Sequence, residues 1–342
     1  MMIVNKKNYV FLFLICSNIN VWAQFKLSGT IKHYSGRADL KINIPQVYGF
    51  DEANSIKIAV AKNGSFSITL PIKSQKFADV IFQQNFHLIL LTKGKSLHVE
   101  LIENNKSFKP SAGTGLAVNT VLQAANIEEY PFFLQNDGAY TSLSPVELNN
   151  KLVRPYLAMR DKKIAIVNRS SINPRDKKLI AAELKYAAYN NLYELYLLGG
   201  QYHEKLTNLV ITAFDKADPK PEAFPPGPQY YMFANYYLWY RQAKSSTKVK
   251  AKNIKPTQLM PDYGLTVAQF NAYKAKYGEP YLRWLSATRF LPRAVAEQLG
   301  YLLISTAVNN GNKELANKLV KDYMQKFPAG LYKADINRQI AG

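Results

Sequence analysis

The chain of 342 residues carries one cysteine, Cys16. A lone thiol cannot close an internal disulfide, so Cys-x-x-Cys redox chemistry and Cys-rich zinc sites are excluded with it. Histidine is almost as scarce, with only His33, His87, His98 and His203. An imidazole metal site would need a third ligand at diagnostic spacing, and none is there. His87 and His98 fall on neighbouring predicted strands, where they could face each other. His203-Glu204 opens like a zinc-protease helix, but Thr207 stands where the second histidine belongs. All four histidines read as structural or solvated. No serine sits in a Gly-x-Ser-x-Gly elbow, and no carboxylate pair has a spacing that signals glycosidase chemistry. Beyond the first two dozen residues, no run is apolar and long enough to span a bilayer.

The N-terminus has what the rest lacks. Lys6 and Lys7 precede the apolar stretch Tyr9–Cys16, and Val21-Trp22-Ala23 follows. A basic start, a short apolar run and a small residue at the end read as a secretory signal peptide over residues 1–23. Cleavage after Ala23 leaves Gln24 first and discards Cys16, so the mature chain has no thiol. The rival reading makes Cys16 a lipoprotein cysteine. That processing favours a small residue just before the cysteine, where this chain has Ile15, so plain export to the periplasm or envelope is preferred.

With 47% hydrophobic and 20% charged residues, the chain has the composition of a folded protein, long enough for two domains. The net charge of +20 suits anionic lipid head groups, polysaccharide or nucleic acid. The excess is spread along the whole chain. Its densest run is Lys244, Lys248, Lys250, Lys252 and Lys255, with no acid between. This reads first as a solvated loop and second as an anion-binding loop. Paired RNP aromatics and Cys/His fingers are absent, so no nucleic-acid partner is expected. Membrane contact is expected to be peripheral at most, and no cofactor is expected.

Residues 24–110 read as β. Phe25, Leu27, Gly29 and Ile31 alternate with polar residues, as do Leu40, Ile42 and Ile44. Ile56, Ile58 and Val60 lead through Asn63-Gly64 to Phe66, Ile68, Leu70 and Ile72. Asn-Gly between alternating runs signals a hairpin with a type I′ turn, which needs φ > 0 at both central residues. Val80–Phe82, Phe86–Leu91 and Leu97–Leu101 add strands, with a turn at Lys93-Gly94-Lys95. About seven short strands patterned on one face predict an antiparallel β-sandwich-like domain.

A boundary falls in 104–115, and residues 111–342 read as an irregular multi-helix domain, making the chain α+β. Ser144-Pro145-Val146-Glu147 is a capping box opening a helix to about Val167. Asn173-Pro174 starts another, ended by Gly199-Gly200. A helix over about 203–217 precedes the proline-rich segment Asp218–Pro228, where no helix survives. Thr266-x-x-Gln269 opens a helix ending at Gly278, and Glu279-Pro280 opens the next. A helical hairpin over 294–327, turning at Asn310-Gly311-Asn312, has a tetratricopeptide-like pattern. No 34-residue repeat supports a regular solenoid.

Two stretches are candidate sites. Gly113-Thr114-Gly115 before a helix offers backbone N–H groups to an anion, yet lacks the Lys-Ser/Thr of a P-loop, and a linker is the better reading. The run from Tyr230 to Tyr240 would make a helix aromatic on all sides, either buried all round or lining a groove. Tyr231, Tyr236, Trp239 and Tyr240, with Lys248, Lys250 and Lys252 beyond, form the candidate ligand or partner surface. Flat apolar rings with polar tips suit sugars and peptides. Core packing is the alternative, and Tyr281 and Trp284 follow the same logic.

An ordered pattern links these pieces: Phe25-x-Leu27-x-Gly29-x-Ile31, Asn63-Gly64-x-Phe66, Gly113-Thr114-Gly115-x-x-x-Asn119, and Phe327-Pro-x-x-x-Tyr332. In it the chain resembles the N-terminal region of TlpA-like envelope thiol–disulfide reductases of Gram-negative bacteria. There a small β domain of unknown function and a helical segment precede a catalytic thioredoxin domain. The resemblance covers most of 25–340. It carries over no catalytic residue, because the family's Trp-Cys-x-x-Cys motif is missing. The expected function is a non-enzymatic envelope binding or scaffold module holding a protein or glycan partner. Two alternatives stay open: a fragment of such a reductase without its catalytic domain, and a glycan- or envelope-polymer-binding protein.

Overall fold

A computed structural model of the chain describes residues 24–37, 39–45, 47, 52–136, 138–199, 203–248 and 255–341. The expected signal peptide with Cys16 lies outside them, as do Lys250 and Lys252. The protein is α+β, with strands first and helices after. It divides into two compact units. The first holds the described residues up to Glu128, with Lys162–Ala181 and Ala223–Pro228. The second holds Glu129–Asp161, Ala182–Glu222 and the described residues from Gln229 on.

The first unit is built on eight strands: β1 (Gln24–Lys32), β2 (Leu40–Asn43), β3 (Ser55–Lys57), β4 (Ser65–Pro71), β5 (Lys76–Phe82), β6 (Asn85–Leu91), β7 (Ser96–Ile102) and β8 (Phe108–Ala112). They form two four-stranded sheets, ordered β4-β1-β7-β8 and β3-β2-β5-β6. Alternation places Phe25 and Leu27 of β1 and Leu97 and Val99 of β7 on an inner face. These meet Ile42, Val80, Phe82 and Ile89 of the other sheet in one buried core. Each such side chain contributes about 1.5–3 kcal/mol on burial. The sandwich differs from a purely antiparallel one in a single pairing: β1 runs parallel to β7, with Leu27 opposite Leu97. The chain changes sheet after β1, β3, β4 and β6. A strand arriving from the other sheet is free of the hairpin constraint that forces antiparallel pairing. Gly29 shares β1's inner face because nothing larger fits. A Cβ there would lie 2.3 Å from the Val99 carbonyl oxygen and 2.4 Å from the Phe66 ring.

The turn at Lys93-Gly94-Lys95 is present, with Gly94 at φ 74°, but the predicted hairpin turn departs from expectation. At Asn63-Gly64 only Gly64 has positive φ, 80°. Gly64 N donates to Ala61 O and Ala61 N to Ser65 O, both at 2.8 Å, which is a three-residue loop with a left-handed last residue. The flanking strands enter different sheets, joined locally by a bridge between Val60 and Phe66. The two-residue turn with positive φ at both positions is instead Gln83-Gln84, at 48° and 64°, closing the β5–β6 hairpin. Side chains hold it. Asn85 Nδ2 donates to the Phe82 and Gln83 carbonyls at 3.3 and 3.1 Å, and Asn104 N donates to Gln83 Oε1 at 2.8 Å.

Helix α1 (Leu116–Ala125) follows Gly113-Thr114-Gly115 and lies against β6, an edge of its sheet. Buried Asn119 treats Leu90 as a neighbouring strand would. Its Oδ1 accepts from Leu90 N at 2.7 Å, and its Nδ2 donates to Leu90 O at 3.2 Å. Gln123 Nε2 donates to Leu88 O at 2.8 Å. Two helix side chains therefore satisfy an edge that would otherwise attract another strand.

The helices after α1 are α2 (Gly138–Thr141), α3 (Pro145–Leu148), α4 (Arg154–Arg169), α5 (Pro174–Leu198), α6 (His203–Phe214), α7 (Pro228–Lys248), α8 (Val267–Phe290), α9 (Arg293–Asn309), α10 (Lys313–Lys326) and α11 (Lys333–Ala341). Both capping boxes are present, Ser144 with Glu147 and Thr266 with Gln269. The helix predicted from Ser144 is interrupted by one π turn, Asn149–Val153. α8 kinks at Gly278, where φ is 75°, just before Pro280. Trp284 of α8 packs against Tyr323 and Phe327 at the C-terminal end of α10. Buried Glu297 of α9 accepts from Tyr323 Oη at 3.0 Å and from Leu331 N.

Candidate functional site

The aromatic run forms the first half of α7. Its start is fixed by Glu183, a buried carboxylate that accepts from Gln229 N at 2.8 Å, where the helix dipole favours negative charge. Tyr230, Phe233, Tyr237 and Tyr240 recur at helical spacing and are buried. Tyr231, Tyr236 and Trp239 are half-buried. Tyr236 stacks on Tyr193 with ring centroids 4.0 Å apart, and Trp239 lies 4.8 Å from Tyr193 and 4.5 Å from Tyr196. Burial pushes the Tyr231 and Tyr236 phenols up, so they stay protonated at neutral pH and offer no base.

Tyr240 Oη donates to Asp215 Oδ1 at 2.6 Å, and Lys244 Nζ donates to the same oxygen and to Tyr240 Oη, the latter at 3.2 Å. Burial first, then the bond to Asp215, raises the Tyr240 phenol. The cluster ties α7 down rather than preparing a phenolate. Lys248 is the last residue of α7, and its side chain lies outside the described ones, like that of His203.

The other sequence candidates are accounted for locally. His87 and His98 belong to different sheets and do not face each other. His87 stacks on Phe108 with centroids 4.7 Å apart, and burial pulls it down to about 4. His98 Nδ1 lies 3.1 Å from Ser28 Oγ. The backbone donors of Thr114 and Gly115 are spent on Ser96. Gly115 N donates to Ser96 O at 2.8 Å and Thr114 N to Ser96 Oγ at 3.4 Å, while Thr114 Oγ1 accepts from Ser96 N at 3.0 Å. That turn is a clasp on β7, not an anion cradle. Among the described residues, no three His, Cys, Asp or Glu side chains gather as a metal site, and no helix is long and apolar enough to cross a membrane.

The second unit also contains a groove of about 560 Å³, where α3 and the π turn face α6. Lys205, Asn208, Leu209 and Thr212 of α6 share one helical face. Opposite them stand Pro145, Leu148 and Asn149. Asn149 is the first residue of the π turn, an irregularity often found at functional positions. Leu148 is fully buried and forms part of the floor, while Asn208 and Thr212 are exposed at the rim. Lys205 Nζ donates to the Leu143 carbonyl, and Thr212 Oγ1 to the Asn208 carbonyl at 2.8 Å. An apolar floor with carboxamide, hydroxyl and ammonium groups and the Glu204 carboxylate at its edge suits the binding of a polar chain by contact and hydrogen bonding. Apart from Pro145 of the capping box and Glu204 beside His203, these residues did not stand out in sequence. The capping box located one wall and the 203–217 helix the other, but nothing in their spacing says that they face each other. The sequence matches no protein-family model and no curated protein.

Proposed function

We propose that the protein is an exported, non-enzymatic binding or scaffold module of the cell envelope, of the kind that forms the accessory region of TlpA-like reductases. The observation that carries this reading is the groove between α3, the π turn and α6, with its apolar floor and hydrogen-bonding rim. Its partner is an extended polar chain, a peptide segment or glycan of the envelope. The helix of Tyr231, Tyr236, Trp239 and Tyr240 then acts as part of the packed frame of the same unit. Tagged protein purified from envelopes tests the reading, with Asn208→Arg/Thr212→Arg as the comparison. Both positions are exposed, so the fold survives the change. The expected result is a defined co-purifying partner that the double variant loses at unchanged melting temperature. Retention of the same partner by the variant would remove the groove from the account. Disulfide reduction by the purified mature chain would overturn the non-enzymatic reading.

A further inference from the structure

One helix of this protein holds an extended backbone with its side chains. On α1, Asn119 and Gln123 stand four residues apart. They bond the main chain of Leu90 and Leu88, which stand two apart on β6. The Asn119 carboxamide takes both groups of one residue, its Oδ1 the N–H at 2.7 Å and its Nδ2 the C=O at 3.2 Å. The spacings agree, since four helical residues rise about 6 Å and two strand residues about 6.6 Å.

α6 presents the same spacing at its groove. Asn208 and Thr212 are four residues apart, exposed, and part of the lining. Leu206, Val210 and Phe214 bury a different face of the helix, which fixes the direction of the first two. The Asn208 carboxamide offers two donors and an acceptor. Thr212 Oγ1 donates to the Asn208 carbonyl at 2.8 Å and keeps lone pairs for an N–H. Pro145 is exposed and Leu209 half-buried, so aliphatic surface lies beside these polar groups. The groove volume of about 560 Å³ matches roughly nineteen waters at about 30 Å³ each, room for several residues of chain.

Glu204 and Lys205 bring one charge of each sign, so the groove is balanced in a chain of net charge +20. A polyanion drawn to the rest of the chain gains little here. A sugar ring finds no aromatic face, because among the described residues none that lines the groove is aromatic. An uncharged main chain, with N–H and C=O dipoles to set against Oδ1 and Nδ2, complements it. On the reading that this groove is the binding surface, we infer that it captures an extended peptide by its backbone. Asn208 pairs with the N–H and C=O of one residue, and Thr212 accepts the N–H of the residue two along. A neighbouring aliphatic side chain lies on Pro145 and Leu209. Main-chain bonds then supply affinity and the apolar floor supplies selectivity.

The test is NMR shift mapping on the whole mature chain. The probes are acetylated pentapeptides with Leu, Ile or Val at the centre and Ser or Thr on either side, with chitotetraose as the contrast. The peptides should perturb amides at 145–149 and 205–212. Asn208→Leu, similar in size and without the amide, should weaken binding about tenfold at unchanged melting temperature. N-methylation at alternate residues removes the N–H groups of one edge of the peptide and leaves the protein untouched. One edge should cost about tenfold and the other less than about threefold. Binding that is indifferent to Asn208→Leu and to both methylation patterns would overturn backbone capture. Perturbation of the same amides by chitotetraose alone would overturn the peptide and leave the groove as the binding surface. Silence from every probe at millimolar concentration would overturn this inference and the groove together.

Discussion

Replacing Trp239 by alanine separates a packed aromatic helix from an open ligand surface. Deleting a fully buried tryptophan costs about 3–5 kcal/mol. Trp239 is half-buried, which brings the packing loss to about half of that, near 2 kcal/mol. Its contacts with Tyr193 and Tyr196, at 4.8 and 4.5 Å, add about 0.5–1.5 kcal/mol between them. The expected loss is therefore about 3 kcal/mol. At roughly 2–4 °C per kcal/mol for a unit of this size, the melting temperature should fall by about 6–12 °C. Urea unfolding followed by far-ultraviolet circular dichroism gives the free energy, and Trp239→Phe should recover more than half of it. A Trp239→Ala protein with an unchanged midpoint and slope would refute the reasoning. The ring would then contribute nothing to packing, and the aromatic run would return as a binding surface.

Asn119→Ala should cost about 3 kcal/mol, because it leaves the buried Leu90 N–H and C=O without partners. Urea unfolding checks it, and a loss below 1 kcal/mol would show that water or a backbone shift replaces the side chain. Asp79→Asn should stabilise at pH 8 and not at pH 4. Burial raises the Asp79 carboxyl to about 6, so its contribution is favourable below the unfolded value near 4 and is lost as pH rises through 6. The gain at pH 8 is about 1–3 kcal/mol, and an equal gain at pH 4 would point to a cause other than ionisation. His87 works in the opposite sense. Pulled down to about 4, it supports the fold above 6.5 and loses that support as pH falls, so His87→Phe should flatten the acid side of the stability profile.

Much of the fold was legible because its signals are local. The alternation at Phe25, Leu27 and Ile31, the capping boxes at Ser144 and Thr266, and the break at Gly278 each act within a few residues. The pairing of Leu27 with Leu97 spans most of the first unit, and no local pattern encodes it. Asn63-Gly64 misled because the strands beside it are pulled into different sheets, which relieves the turn of joining a hairpin. Gln83-Gln84 adopts the positive-φ pair despite its composition because Asn85 and Asn104 hydrogen-bond around it. The candidate site followed the same rule. The aromatic content of 230–240 was plain, but whether its rings face solvent depends on Tyr193 and Tyr196 of another helix. The groove needs Asn149 and Asn208 to meet across space. Asn119 was visible only as the end of a loose motif, and its role became clear once Leu90 lay beside it.

Site-specific photocrosslinking in envelopes tests the binding account most directly. A benzophenone amino acid at position 208 places the reactive group at the groove rim, and the same group at position 236 places it on the aromatic helix. The account predicts a discrete crosslinked product from position 208 and none from position 236. A product from position 236 alone would contradict it and move the functional surface to the helix of Tyr231, Tyr236, Trp239 and Tyr240.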